Sequence, residues 1–501
     1  MSEPHHVLAI DQGTTSTRSI VFDAQARNVA ESRREFPQHY PAPGWVEHDA
    51  EDIWRDTLST AREAVAAAGV GSSGIAAIGI TNQRETTLLW DRKSGALIHR
   101  ALVWQDRRTA ELCARLKSEG IEENVRARTG LLLDPYFSAT KLNWILDNVA
   151  GARSRAERGE LAFGTIDTFL LWRLTGGTVH ATDVTNASRT LLLDLRRQEW
   201  DDELLRIFRI PRAILPEVRD SSAIYGRTAP GLFDVEIPVA GIAGDQQAAL
   251  IGQACFEPGM AKSTYGTGCF VLLNIGPTPV ISRHRLLTTP AYRIGGRTAF
   301  AMEGSIFVAG AAIKWLRDSL AIITHAAQSA DLATRVPDNH GVYMVPGFVG
   351  LGAPHWDPNA RGLICGLTLD AGGAHLARAA LESVAFQTRD LIDAMIADGC
   401  RRAQSIRVDG GMAANQWFCQ FLADVLDTAV EQPQELETTA LGAAFLAGLA
   451  TGVWADLAAV AATWSRRAVF SPRMSAERRA ALMSGWQMAV RRALLQPADR
   501  F

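Results

Sequence analysis

The stretch "VLAIDQGTTSTRSIVFD", residues 7–23, decides the fold. Two apolar runs, residues 7–10 and 19–22, flank a turn holding Asp11, Gly13, Thr14, Thr15, Ser16, Thr17 and Arg18. A third extended run, near residues 28–36, follows a short connection, so the three runs read as antiparallel neighbours. The spacing then predicts a helix over Ala50–Ala68, with Asp49 or Glu51 favourable at its positive end. "IAAIGIT", "TTLLW" and "ALVW" return to β-type runs. Strands alternating with helical segments indicate an α/β layer with helices packed on the sheet.

The same plan opens again half-way along the chain. "MAKSTYGTGCFVLLNIG", residues 260–276, leads an extended run into Gly266-Thr267-Gly268 and a second run out of it. Another strand, "AFAMEG", and a helix over about residues 306–320 follow. Self-similarity at this spacing predicts a duplicated domain, residues 1–252 and 253–501, with the boundary near residues 252–258.

Composition bounds the function classes. The 501 residues carry a net charge of −3, which offers no basic field to nucleic acid. Three arginine pairs near the C-terminus (466–467, 478–479, 491–492) read as solvated faces of helices. Six cysteines stand far apart with no C-x-x-C pair, which predicts free thiols in a reducing cytoplasm. No basic segment with an apolar core opens the chain, so no signal peptide is expected. The most apolar stretch, residues 441–455, is too short to span a bilayer and reads as a buried Ala/Gly-rich helix.

A glycine-containing hairpin lets backbone N–H groups approach an anion, and adjacent hydroxyls add donors. Thr14, Thr15 and Ser16 suit phosphate oxygens, with Arg18 as a reserve of charge. The turn is not a Walker loop; an ordinary hairpin bonding its own backbone is the plainer alternative. Two such turns, one per half, favour a phosphate chain clamped between two domains. Asp11, at a strand end facing those phosphates, needs a cation between them, so it is assigned to Mg²⁺ through water. In "IPVAGIAGDQQAALIG", residues 237–252, Asp245 either caps a helix or serves as a general base at a strand end. In "SIRVDGGMAANQWFCQFLADVL", residues 405–426, Gly410 and Gly411 admit a flat group and Asn415 could meet its edge. Generic strand-to-helix turns use Gly-Gly too.

These blocks, with "GITNQRETT", "PGWVEHD", "DPYFSATK", "VTNASRT", "GLGAPHWDPNARG" and "LESVAFQTRD", resemble the glycerol kinases. Those belong to a family of carbohydrate kinases whose fold is shared with hexokinase, actin and heat-shock chaperones. The resemblance runs from about residue 7 to residue 448 and implies two duplicated ribonuclease-H-like (actin-like ATPase) domains flanking a central cleft. It implies ATP-dependent phosphorylation of glycerol to sn-glycerol 3-phosphate, the first step of glycerol catabolism. By this resemblance Thr14, Thr15, Ser16 and Arg18 meet the ATP phosphates from one side, and Thr267 and Gly268 from the other. Gly310, Lys314, Gly411, Met412 and Asn415 would line the nucleoside side, although several relatives carry glutamine in place of Lys314. Arg84, Glu85, Tyr136, Asp245 and Gln246 would hold glycerol, with Trp104 and Phe270 against its carbon backbone. Mg²⁺ would sit at Asp11 and Asp245, with Asp245 as the base.

Each of these residues has a plainer reading: Arg84–Glu85 as a surface ion pair, and Trp104, Tyr136 and Phe270 as core. The resemblance further implies a cytoplasmic homo-oligomer, a dimer or tetramer, with no nucleic-acid partner and no membrane insertion. Residues 225–237 lack the Gly/Lys-rich loop that binds fructose 1,6-bisphosphate in some relatives and the histidine phosphorylated in others. The rival readings are a kinase for a larger polyol or ketose, and an ATP-driven binding machine without a small acceptor.

Overall fold

The computed structural model describes residues 5–494. Its spine is a mixed sheet of thirteen strands. In chain order these are β1 (His6–Gln12), β2 (Ser16–Phe22), β3 (Asn28–Glu35), β4 (Ile75–Asn82), β5 (Ser222–Arg227), β6 (Pro238–Gly244) and β7 (Ala261–Tyr265). They continue with β8 (Cys269–Gly276), β9 (Leu287–Ile294), β10 (Arg297–Ile306), β11 (Ser405–Asp409), β12 (Ala429–Pro433) and β13 (Arg466–Phe470). Across the sheet the order is β13-β12-β11-β7-β8-β10-β9-β5-β6-β4-β1-β2-β3.

One five-strand unit occurs twice in that order. In the first, β1–β2 and β2–β3 pair antiparallel while β1–β4 and β4–β6 pair parallel. In the second, β7–β8 and β8–β10 pair antiparallel while β7–β11 and β11–β12 pair parallel. Each unit therefore reads third-second-first-fourth-fifth, and β9 and β5 join them through Ser222↔Ile294. The duplication read from the two glycine turns is thus a duplication of topology.

Helices repeat the pattern. After the third strands come α1 (Ala50–Ala68) and α3 (Gly310–Asp318). After the fifth strands come α2 (Asp245–Gly252) and α5 (Thr438–Thr451), while α4 (Gln416–Leu426) follows β11. Asp49 caps α1 by accepting from the Glu51 N–H, and Gly69 ends it in the left-handed region (φ 69°). Helix α5 packs on α2 and lies over β4 and β6, so an apolar cluster mixes residues from both repeats. All six cysteines are free, and among the described residues no helix is long and apolar enough to cross a membrane.

Several local expectations need correction. Strand β2 begins at Ser16 because the Gly13 N–H donates to the Ser16 carbonyl (2.9 Å), leaving residues 13–15 as the whole turn. Strand β10 runs through Ile306, which pairs with Cys269, so the helix expected from residue 306 starts at Gly310. Strands β5 and β9 were not foreseen; Pro290 of β9 sits where the β9–β10 register shifts, a place where a strand tolerates proline. "TTLLW" forms a strand only over Leu88–Asp91, and it pairs with Leu161–Gly164 outside the large sheet. Arg466 and Arg467 lie on edge strand β13 and not on a helix.

Asp167, in the helix Ile166–Leu174, is fully buried and accepts from Thr165 Oγ1 (2.5 Å) and Thr182 Oγ1 (2.6 Å). Burial pushes its carboxyl up to about 7 against those hydroxyls. The folded pKa lies above the unfolded one, so stability from this group is full below about pH 4 and is lost as pH rises through about 7. Asp167→Asn should melt higher than the parent at pH 8, by roughly 4 kcal/mol at most, with the gap closing toward pH 4. Melting curves at the two pH values check this; an equal or lower transition at pH 8 contradicts it.

Candidate active site

The parallel strands β1, β4 and β6 end in register, Gln12 opposite Asn82 and Asn82 opposite Gly244. This places the Gly13 turn, Arg84–Glu85 and Asp245 along one edge, the edge where open α/β sheets bind ligands. In the second repeat β7 and β11 end together, Thr264 opposite Asp409, beside the Gly266 turn.

Both turns have their carbonyl acceptors occupied, and apart from the Gly13 and Gly266 N–H groups, which close the turns themselves, they keep donors to spare. In the first, Gly13 O accepts from Gln12 Nε2 (2.8 Å) and Gln83 Nε2 (3.2 Å). Thr14 O accepts from Gln38 Nε2 (3.0 Å), and Thr15 O from the Phe36 N–H (3.3 Å). In the second, Gly266 O accepts from the Gly310 N–H (3.0 Å) and Gly268 O from the Gly266 N–H (2.9 Å). Thr267 O accepts from the N–H groups of Ala309 (2.9 Å) and Ala311 (3.1 Å). What each turn presents outward is N–H and hydroxyl, the donor set an anion needs.

Arg18 is not a free reserve. Register sets it opposite Asp11, and it pairs with Asp11 Oδ2 (2.9 Å) and with Glu437, just before α5. Ser16 Oγ accepts from Arg33 Nε (3.1 Å). Trp104 donates its indole N–H to Thr14 Oγ1 (2.9 Å) and meets Tyr136 edge-on with ring centroids 5.6 Å apart.

Arg84 and Glu85 do not form a surface pair, and they do not pair with each other. Both are buried, and Glu85 sits at φ 61° while the Thr86 N–H reaches back to Arg84 O (2.8 Å). That tight turn in an unfavourable backbone region splays the two side chains apart. Arg84 grips Glu303 through both terminal nitrogens, Nη1–Oε2 2.6 Å and Nη2–Oε1 3.0 Å. Its Nε lies 3.1 Å from Asp245 Oδ1, and its guanidinium carbon 5.8 Å from the Phe270 ring centroid. Glu85 Oε1 is held by Arg189 Nε (2.7 Å), and Arg189 stacks near Tyr136 and Phe137.

Glu303, Arg189 and Lys262 join this cluster, and sequence reasoning left them unassigned. Lys262, fully buried on β7, donates to Gln246 Oε1 (2.5 Å), so the Gln246 carbonyl is already engaged. Three cations (Arg84, Arg189, Lys262) thus balance three carboxylates (Glu85, Glu303, Asp245). Burial alone would raise the Glu303 carboxyl, yet Arg189 and Arg84 outweigh it and bring it down to about 2. Burial raises Glu85 from its ordinary value despite Arg189 and Arg84. Asp245 is raised too, burial outweighing Arg84 and Lys262, although its side chain keeps 31% exposure toward the site.

The residues expected on the nucleoside side gather around the second turn. A Cβ on Gly310 would strike Gly266 O at 2.6 Å and lie 3.7 Å from Met412. Gly410 (φ 84°) owes its identity to packing, since a Cβ there would meet Tyr265 O at 2.6 Å; only Gly411 faces open space. Asn415 caps α4 by accepting from the Phe418 N–H (3.0 Å), so its amide NH₂ is what remains for a base edge. Lys314 is exposed one turn along α3.

Two family models divide the chain. The N-terminal domain of the FGGY family of carbohydrate kinases matches residues 6–252, and its C-terminal domain matches residues 261–451. The chain belongs to this family. Among curated relatives, this FGGY kinase is 64% identical to a glycerol kinase of Gluconobacter oxydans, covering 99% of this chain and 97% of that one. It is 62% identical to a glycerol kinase of Rhodospirillum centenum, covering 98% and 99%. Among solved structures it is similar to Plasmodium falciparum glycerol kinase with ADP, with TM-score 0.93, 36% identity, and coverage of 98% and 99%.

Among the described residues of this FGGY kinase, no three His, Cys, Asp or Glu side chains gather to cage a metal. Mg²⁺ keeps several waters and takes one or two carboxylates together with substrate phosphates. Asp11, partly exposed and held on one side by Arg18, fits that role beside the Gly13 turn.

Proposed function

We propose that this kinase moves the γ-phosphoryl group of ATP to a terminal hydroxyl of glycerol, giving sn-glycerol 3-phosphate, with Asp245 as general base. One observation carries the assignment of the base. Asp245 Oδ1 takes both the Arg84 Nε contact (3.1 Å) and the Gln246 N–H (2.7 Å), which leaves Oδ2 to accept a proton. A carboxyl raised by burial is a stronger base than an ordinary aspartate. The name shared by the curated relatives at 64% and 62% identity supports glycerol as the acceptor.

The pocket's residues fit a three-carbon triol. Arg84 keeps one terminal guanidinium N–H free and Glu85 keeps Oε2, a donor and an acceptor for hydroxyls that do both. Trp104 and Phe270 cover the carbon face and exclude water, which suppresses hydrolysis of ATP. The two glycine turns spread the charge of the phosphate chain over N–H and hydroxyl donors. Mg²⁺ at Asp11 would neutralise phosphate charge when bound. The free thiols suit a reducing cytoplasm, and the protein is expected to be a homo-oligomer, which light scattering can measure.

The test is ADP formation by the purified protein with ATP, Mg²⁺ and a panel of polyols and ketoses. Glycerol should be preferred, the product should be glycerol 3-phosphate, and chelation should abolish turnover until Mg²⁺ is returned. A preference for a pentulose, or ADP release indifferent to glycerol, would overturn the reading.

A further inference from the structure

Glu303 sits mid-strand on β10, opposite Leu272 of β8 and Leu287 of β9, and is fully buried. Burying a carboxylate is costly unless it is paired, and apolar side chains in place of such a cluster often stabilise a fold as well or better. A buried charge at this position therefore asks for a use beyond stability. From the second repeat, this one carboxylate reaches two arginines of the first. It takes both terminal nitrogens of Arg84 (2.6 and 3.0 Å) and Arg189 Nη2 (3.1 Å), and Arg189 in turn holds Glu85 (2.7 Å).

We infer that Glu303 is the positioning residue of the acceptor pocket, fixing the Arg84 guanidinium so that it offers Asp245 only its Nε. The inference rests on the reading that Arg84 and Asp245 face glycerol. A guanidinium has five N–H donors in a rigid fork. Three of the five are hydrogen-bonded to Glu303 and Gln247 Oε1 (3.2 Å), and Nε makes an ion contact with Asp245. Released from Glu303, the fork is free to turn and take both Asp245 oxygens, because bidentate carboxylate pairing is its preferred geometry. Oδ2, the oxygen left for the proton, would then be blocked, and the N–H left for a substrate hydroxyl would be lost. The acceptor pocket of the first repeat is thus tuned from the second.

The experiment is a double-mutant cycle on the full-length enzyme with Glu303→Gln, Arg84→Met and the double variant, reading kcat, KM for glycerol and ATP, and glycerol affinity by calorimetry. Glu303→Gln should raise the glycerol KM and lower kcat/KM by about tenfold or more, with the ATP KM within about twofold. In the Arg84→Met background the same change should cost glycerol affinity no more than about twofold. An equal loss in both backgrounds, or a Glu303→Gln enzyme within twofold of the parent, overturns the inference. Should Arg84→Met leave glycerol affinity intact, Arg84 is no acceptor ligand, and the reading beneath the inference is what fails. Glu303→Asp keeps the charge but shortens its reach; it runs through the same cycle if Glu303→Gln does not fold.

Discussion

Asp245→Asn should fold and bind ATP as the parent does, yet form ADP in response to glycerol about 10³-fold more slowly. Asparagine keeps an oxygen where Oδ1 accepts from the Gln246 N–H and lies 3.1 Å from Arg84 Nε, so the local frame survives. What disappears is the second oxygen with its charge, the only part of the side chain positioned to take a proton. Stability should not suffer. The folded pKa of Asp245 lies above the ordinary value, so its ionisation opposes folding as pH rises from below 4 through that value, and a neutral side chain removes this penalty. The same shift means that the parent's kcat/KM should rise with pH through a limb displaced upward from the ordinary aspartate value. Single-turnover rates, ATP binding by calorimetry and melting curves separate these effects. Turnover within tenfold of the parent would remove Asp245 from the role of base.

The two glycine turns made the architecture legible. Gly13 and Gly266 each sit between a first and a second strand, and their spacing along the chain exposed the repeat that the sheet order later displayed. Asp245 was legible for a local reason: an apolar strand ends in a carboxylate just where a helix starts. Pairing was not legible. Arg84 and Glu85 are adjacent in sequence, and nothing there indicates that Glu85 turns to φ 61° and hands each charge to a distant partner. Glu303, Arg189 and Lys262 carried a usable signal, since each is a lone charge within an apolar or small-residue run, and a buried lone charge demands a counter-ion. Which counter-ion answers is set by strands far apart in sequence, β10 against the segments after β4 and β9's neighbours, and only tertiary structure supplies that. Arg18 shows the same limit in reverse. Its hydroxyl-rich surroundings suggested a free phosphate ligand, while the hairpin register had already matched it with Asp11.

Gly442→Ala should be among the most damaging single methyls in the molecule. Helices α2 and α5 follow the fifth strands of the two repeats, and they meet through a reciprocal contact. A Cβ on Gly442 would run into the carbonyl of Ala248, and a Cβ on Gly252 into the carbonyl of Thr438, in each case against backbone that no rotamer change can clear. Each glycine lies one helical turn beyond the residue whose carbonyl the other glycine approaches, so Ala248–Gly252 and Thr438–Gly442 interlock about a pseudo-twofold axis. Gly79 of β4 fits as closely under Ala443 of the same helix. An added methyl must therefore push α5 off both α2 and the sheet, at about 3 kcal/mol or more, the upper end of the overpacking range. The consequence reaches the chemistry because α2 begins at Asp245 and Glu437, which holds Arg18, directly precedes α5. A displacement near 1 Å at a reacting group can lower a rate about 10²-fold. Gly442→Ala is accordingly expected to melt well below the parent and, where still folded, to lose kcat in similar measure. Thermal unfolding and steady-state rates below the transition check both parts. A variant that melts and turns over like the parent would mean that the repeats are not held in register by this helix pair.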